Sequence, residues 1–243
     1  MKQVTMVSRL FYLLIQMKQT NYFLRFCAPL LLMAFVATSC GDDSDDETTV
    51  PSGTFTECPD DNHPHMIDLG LPSGTKWACC NVGANKPEDY GDHFAWGETK
   101  PKDVYNWKTY QYGSSIDNVV NIGSDIAGTK YDAATANWGA PWQMPSLTQI
   151  KELLNSCNSE WTTMNGVKGR RFKGSNGGSI FLPAAGGRWI GGLGDAGSSG
   201  DYWSSTLYES YPYYAYHPYF NSDYAYWYGN DYRLYGFTVR PVR

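Results

Sequence analysis

Residues 202–235 of this 243-residue chain contain no lysine and a single arginine, Arg233, and no cysteine follows Cys157. Charge of one sign is missing elsewhere, segment by segment. Residues 1–39 hold four bases (Lys2, Arg9, Lys18, Arg25) and no acid, whereas residues 41–61 hold eight acids and no base. Residues 62–243 hold 16 acids against 15 bases, so the formal net charge of −5 comes from three unlike pieces. A near-neutral body argues against a dedicated nucleic-acid binder, which needs a basic face. The body has no 18-residue apolar run and hence no candidate membrane span. Gly186–Gly200 carries seven glycines in fifteen residues, but no P-loop lysine accompanies them, so the stretch reads as a long loop. There is no G-x-S-x-G elbow. No spacing sets two of Glu98, Asp103, Glu152, Glu160 and Asp201 across a cleft. The chain reads as a non-enzyme. There is no C-x-x-C, and His63 and His65, flanking Pro64 in a loop, read as non-ligands, so neither a metal nor another cofactor is expected.

What is present begins with an address. Residues 26–37 are apolar, follow Lys18 and Arg25, and end in Thr38, Ser39 and Cys40. A basic region, a short apolar core and small residues before a break describe a secretory signal over residues 1–39. Met17-Lys18-Gln19 echoes Met1-Lys2-Gln3, so residues 1–16 read as a start-site misassignment. Val-Ala-Thr-Ser-Cys resembles a bacterial lipobox, which makes Cys40 the lipidated first residue of the mature protein. The membrane is then met through a lipid anchor only. Gly-Asp-Asp-Ser-Asp-Asp-Glu follows, and residues 40–61 read as an extended, repulsive linker. The acidic run also resembles the export tag of Bacteroidetes-type surface lipoproteins, implying a place on the outer membrane facing the cell exterior.

Cys58, Cys79, Cys80 and Cys157 remain, an even number in an oxidising compartment, and all four are disulfide candidates. Three pairings are open, and a zinc site, for which no C-x-x-C or Cys/His cluster has ligand spacing, is the alternative. Adjacent Cys79 and Cys80 point to opposite faces of a strand, which favours Cys80–Cys157 with Cys58–Cys79.

Roughly 180 residues make one domain with a real core. Strands are expected at His65–Gly70, Lys76–Ala84, His93–Glu98, Lys168–Phe172, Ser179–Ala184, Asp201–Ser205, Tyr214–Phe220, Tyr224–Trp227 and Gly236–Val242. A turn is expected at Asn221-Ser222-Asp223. Residues 99–137 read as a wrapping loop. One helix is signalled from Ser146, with Gln149 completing a capping box, and Leu147, Ile150, Leu153 and Leu154 forming its apolar stripe. Trp203, Phe220, Trp227, Phe237 and Val239 are expected in the core. The class is α+β, with many short antiparallel strands, few helices and long loops.

Residues 202–235 contain 12 of the 19 tyrosines, interleaved with Asn, Asp, Ser and His. Tyr gives broad contact at low entropy cost, and Asn, Ser and Asp give adaptable hydrogen bonds, which is the chemistry of a recognition surface. So many hydroxyls cannot all be buried, because each would need a partner. The competing reading is a cross-strand ladder. The expected ligand face is Tyr208, Tyr211, Tyr213, His217, Tyr219, Asn221, Asp223, Tyr228, Asn230, Asp231, Tyr232 and Tyr235. Strand alternation lets only about half of these face one way. The expected ligand is a glycan or a protein on another surface. The alternatives are a structural or adhesion subunit of a surface assembly, and an envelope hydrolase.

Several phrases in order, Ile67-Asp68-Leu69-Gly70-Leu71-Pro72-Ser73-Gly74-Thr75-Lys76-Trp77, Asn81-Val82-Gly83-Ala84, Phe94-Ala95-Trp96-Gly97-Glu98, Trp142-Gln143-Met144-Pro145-Ser146, Phe181-Leu182-Pro183-Ala184-Ala185-Gly186, Tyr202-Trp203-Ser204-Ser205-Thr206 and Gly236-Phe237-Thr238-Val239-Arg240-Pro241-Val242, resemble the Fibrobacter succinogenes major paralogous domain over residues 62–243. The resemblance implies a C-type-lectin-like fold whose late strands and loops form the ligand face. It carries no activity. The distantly related sulfatase-modifying enzymes use a cysteine pair near the C-terminus, which this chain lacks. Trp227-Tyr228-Gly229-Asn230-Asp231 breaks the spacing that calcium-dependent sugar binding needs. Some proteins of this fold are diversified by retroelements that mutate template adenines, and the Asn, Tyr, Asp, His and Ser of residues 208–235 match the products of that process.

Overall fold

The capping box read at Ser146 organises the longer of the two helices found among the described residues. In the computed structural model, which describes residues 53–243, the Ser146 Oγ accepts from the Gln149 N–H at 3.3 Å and Gln149 Oε1 accepts from the Ser146 N–H at 2.9 Å. The reciprocal bonds satisfy two donors that the first turn would otherwise leave free. The leader and Cys40 lie outside the described residues.

The elements in chain order are β1 (Thr54–Phe55), β2 (Met66–Asp68), β3 (Lys76–Ala78), β4 (Gly113–Ser115), β5 (Asn118–Val119), α1 (Ala133–Trp138), α2 (Leu147–Ser156), β6 (Asn158–Met164), β7 (Val167–Lys173), β8 (Ser179–Pro183), β9 (Gly187–Trp189), β10 (Gly192–Gly194), β11 (Gly200–Asp201), β12 (Tyr214–Phe220) and β13 (Ala225–Tyr232). They form small sheets, β1-β2-β3, β4-β5, β6-β7-β8, β9-β10 and β11-β12-β13. Every pairing within them is antiparallel except β1 with β2. Among the described residues the class is therefore α+β with few helices.

Several elements differ from expectation for identifiable reasons. Residues 53–61 were expected within a linker, yet Thr54 and Phe55 pair with Met66 and Ile67. Gly186–Gly200 folds its first half into the β9–β10 hairpin. β6 was not foreseen, because its residues are mostly polar and exposed. Its turn carries a legible signal nonetheless. Asn165 and Gly166, at φ 47° and 85°, are the Asn-Gly pair that a tight hairpin demands. Gly236–Val242 is extended but joins no sheet. Its partners change almost residue by residue, from Arg188 to Phe94, Tyr202 and Trp77, and Pro241 has no N–H to continue a ladder. The chain end is sealed by Lys76 and Arg243, whose backbones exchange hydrogen bonds at 2.9 and 3.0 Å.

The core is aromatic. Trp96 donates to Ser204 O at 2.9 Å and Trp203 donates to Phe94 O at 2.7 Å, so two indoles bury with their N–H groups paired. Trp203, Phe220, Phe237 and Val239 are buried as expected. Trp227 is only half-buried, with Lys151 of α2 over its ring at 4.9 Å. Arg240 is also buried without a carboxylate partner. It donates to Asn81 Oδ1 and to the carbonyls of Ala78, Cys79 and Phe181 at 2.7–3.1 Å.

Candidate functional site

The β12–β13 hairpin displays tyrosine on one face. Register pairs Tyr214 with Tyr232 and Tyr216 with Asn230, then shifts between His217 and Tyr219. Pro218 stands at that shift and offers no amide to the ladder. β13 takes three steps from Gly229 to Tyr226 where β12 takes two from His217 to Tyr219, and this shift turns Tyr219 onto the same face as Tyr226, its new partner. Without this bulge, alternation would send Tyr219 inward.

Two groups of rings cover that face. Tyr219, Tyr224, Tyr226 and Tyr228 stack in series, with centroids 5.3 Å apart for Tyr219–Tyr226, 5.9 Å for Tyr224–Tyr226 and 4.8 Å for Tyr226–Tyr228. Tyr208, Tyr211, Tyr213, Tyr214, Tyr216 and Tyr232 form the second group, with Tyr213 stacked on Tyr232 at 5.8 Å and Tyr208 meeting Tyr216 edge-on at 5.0 Å. Asn230, opposite Tyr216, stands exposed on the same face. The stacking fixes each ring, so little side-chain freedom remains to be lost when a ligand arrives. Tyr211, Tyr224 and Tyr228 are 50%, 51% and 59% exposed and form the accessible part. Burial pushes the Tyr226 phenol up to about 12 and Tyr214 higher still, so both remain O–H donors at neutral pH.

The expected ligand residues thus divide. Tyr208, Tyr211, Tyr213, Tyr219, Tyr228, Asn230 and Tyr232 share the aromatic surface. Tyr214, Tyr216, Tyr224 and Tyr226 were missed and belong with them by regular alternation along the arms of the hairpin, and only Tyr219 depends on the register shift. Asn221 shapes the hairpin turn, its Oδ1 accepting from the N–H groups of Asp223 and Tyr224 at 2.9 and 3.0 Å, and Asp223 is exposed beside it. Tyr235 meets Tyr232 edge-on at 5.5 Å at the border of that surface and also packs against Trp189 and Phe237.

His217 and Asp231 correct the expectation, since both sit on the inner face. His217 is 5% exposed, and Gly229 opposite it clears room, because a Cβ there would lie 2.7 Å from His217 O. Burial lowers His217 to about 4 and raises Asp231 to about 6. Asp201, 3.5 Å from His217 Nδ1, is raised to about 7, by burial first and by Asp231 second. This is an interior network in which burial keeps the histidine neutral and holds both carboxyls above the usual carboxylate range.

The second cluster brings together cysteines and histidines whose spacing in the sequence matches no regular ligand motif. The β2–β3 register sets Met66 against Ala78, so the flanking His65 and Cys79 also meet. The Cys79 N–H donates to His65 O at 3.0 Å and the His65 N–H donates to Cys79 Sγ at 2.9 Å. The strap after β1 brings Cys58 and His63 to the same point. Cys58 Sγ lies 3.2 Å from His63 Nδ1 and 3.3 Å from His65 Nδ1, while Cys79 Sγ lies 3.0 and 3.6 Å from the same two nitrogens. Asp60 Oδ1 stands 3.2 Å from His65 Nε2, on the far side of the ring. Hydrogen bonds from the Cys58 and Cys80 thiols hold Cys79 well below the usual thiol range, and the same contact pushes Cys58 above it. A cleft of about 700 Å³ opens beside the cluster, lined by acids such as Glu57 and Glu160 and by the bases Lys86, Arg171 and Lys173.

All four described cysteines are free thiols, so neither expected disulfide is present. Cys79 meets two histidines as well as Cys58, and Cys80 turns into the core, its thiol 3.6 Å from Ala84 O. Cys157 caps the end of α2, where burial raises it to about 11.

Comparison with known protein families, with curated proteins and with solved structures returned no match. Among the described residues no helix is long and apolar enough to cross a membrane.

Proposed function

We propose that this chain is a lipid-anchored binding protein of the outer membrane, facing the cell exterior. It recognises a glycan or protein ligand through the Tyr-rich surface of the β12–β13 hairpin. The observation that carries this reading is the one-sidedness of the hairpin. Ten tyrosines share one face, while the other face holds Ala215, His217 and Arg233 in the interior. A purely structural ladder has no need of half-exposed rings at its ends, whereas a recognition surface does. The Cys40 lipobox and the acidic run after it support the anchor and the address. The phrases from Ile67 to Val242 support membership of the Fibrobacter succinogenes major paralogous domain family. The small antiparallel sheets and late hairpin are compatible with the C-type-lectin-like fold that the resemblance implies. On this reading the protein is not an enzyme.

The test is a glycan and protein array probed with the chain from residue 41 onward. Ligands should be captured by the parent and lost from a Tyr224→Ala/Tyr228→Ala variant that keeps its far-UV spectrum. Glycan hits establish lectin behaviour, and hits to proteins alone establish adhesion. Captured ligands that bind the double variant equally well place recognition elsewhere.

A further inference from the structure

We propose that Cys58, His63, His65 and Cys79 bind one zinc ion in a closed, four-coordinate site that fastens the strap of residues 56–65 to the β2–β3 hairpin. This site is separate from the aromatic face.

The argument starts from convergence. One ligand atom from each residue falls within 4.8 Å of all the others. Tetrahedral zinc, with bonds of about 2.3 Å to sulfur and about 2.0–2.1 Å to nitrogen, spaces its ligands about 3.3–3.8 Å apart. The four sulfur–nitrogen separations are 3.0–3.6 Å, close to that spacing before any metal draws the groups into place. Two thiolates balance the charge of the divalent ion, so the site can be buried without a residual charge. An S₂N₂ set selects zinc over hard cations such as calcium or magnesium.

The surroundings fit as well. A metal-bound histidine is generally oriented by a carboxylate on its other nitrogen, and Asp60 stands at His65 Nε2 while His65 Nδ1 faces the sulfurs. The His65 N–H aimed at Cys79 Sγ is a donor suited to a thiolate. Arg240, through its bond to Cys79 O, fixes the backbone that carries the fourth ligand.

The strap needs such a fastening. Of residues 56–62 only Cys58 is not exposed, so hardly any apolar burial holds this segment down. Two other uses of the cluster fit less well. A Cys58–Cys79 disulfide leaves both histidine nitrogens facing sulfur for no purpose. A thiol nucleophile needs one cysteine and one histidine, and a second thiol beside it would trap it as a disulfide.

The test uses the protein expressed from the full-length gene, purified under reducing conditions, stripped with chelator and titrated with ZnCl₂. It should take up one zinc per chain, and cobalt in its place should show the visible bands of a tetrahedral thiolate site. Cys58→Ser and His63→Ala should each weaken zinc binding by roughly 100-fold or more, while Cys157→Ser should not. Should a variant fail to fold, alkylation of the parent decides. Zinc should protect Cys58 and Cys79 from a thiol reagent and leave Cys157 unprotected, as mapped by peptide mass. Absence of stoichiometric zinc, unchanged affinity in Cys58→Ser, or a Cys58–Cys79 disulfide in protein isolated from the envelope would each overturn the assignment.

Discussion

His65 and Cys79 hold each other twice, once through the backbone at 3.0 Å and once through a backbone N–H on sulfur at 2.9 Å. The pairing is one step beyond the last register pair of the β2–β3 hairpin, so the hairpin itself presents the imidazole and the thiol. Asp60 Oδ1 lies 3.2 Å from His65 Nε2, near enough to orient the imidazole though not aligned as a hydrogen bond, and is itself 61% exposed. Asp60→Asn should therefore leave the fold intact and weaken zinc by about 10–100-fold, because it alters only the orientation of a ligand. A competition titration against a zinc-binding dye reads this directly.

The aromatic surface separates ring-on-ring support from accessibility. Tyr226 stacks against Tyr219, Tyr224 and Tyr228 and is half-buried, whereas Tyr228 is 59% exposed. Tyr226→Ala should cost about 1–2 kcal/mol of stability. Tyr228→Ala should change stability by no more than about 0.5 kcal/mol and act on ligand capture instead. Urea midpoints of the two variants, set beside array signals, test the division.

Asp201 gives a pH dependence of known sign. Its folded value, about 7, lies above the ordinary carboxylate value of 3.8, so the folded state favours the protonated acid. Its contribution is complete below pH 3.8 and is lost as pH rises through 7. Asp201→Asn removes the loss, and should stabilise the domain at pH 8 relative to the parent by at most about 4 kcal/mol, with little gain at pH 4. His217 opposes this on the acid side. Held near 4 against an ordinary 6.5, it contributes stability that is lost as pH falls from 6.5 towards 4. Melting temperatures of parent and variant at the two pH values check the sign.

Arg240 is buried and gives four hydrogen bonds, three of them to backbone carbonyls. Lysine offers a single point of donation and cannot serve all four acceptors. Arg240→Lys should cost about 3–5 kcal/mol, since it leaves buried carbonyls unpaired beside a buried charge. A chemical denaturation curve measures this, and zinc affinity should fall in the same variant.

Local signals carried much of the fold. The Ser146–Gln149 pair announced α2, and Asn221-Ser222-Asp223 announced the β12–β13 turn. Many residues in the resemblance phrases prove to be scaffold. Trp96 reaches Ser204 O and Trp203 reaches Phe94 O, so two distant phrases hold each other through their indoles. The sites were legible only in part, for two physical reasons. The Cys58, His63, His65 and Cys79 cluster has intervals of four, one and thirteen residues, which match no regular motif. Only the β2–β3 register closes it. The side on which Tyr219 stands depends on the register shift beside Pro218, because alternation from Tyr214 alone would turn it inward.

The seam formed by residues 236–243 also governs when the molecule can assemble. Those eight residues find partners as far apart in sequence as Lys76, Phe94, Gln143, Arg188 and Tyr202. The backbone groups of those positions therefore cannot make their last pairings before residues 236–243 have been added. Local hairpins such as β6–β7 can pair beforehand, but the seam that ties these distant segments together closes last.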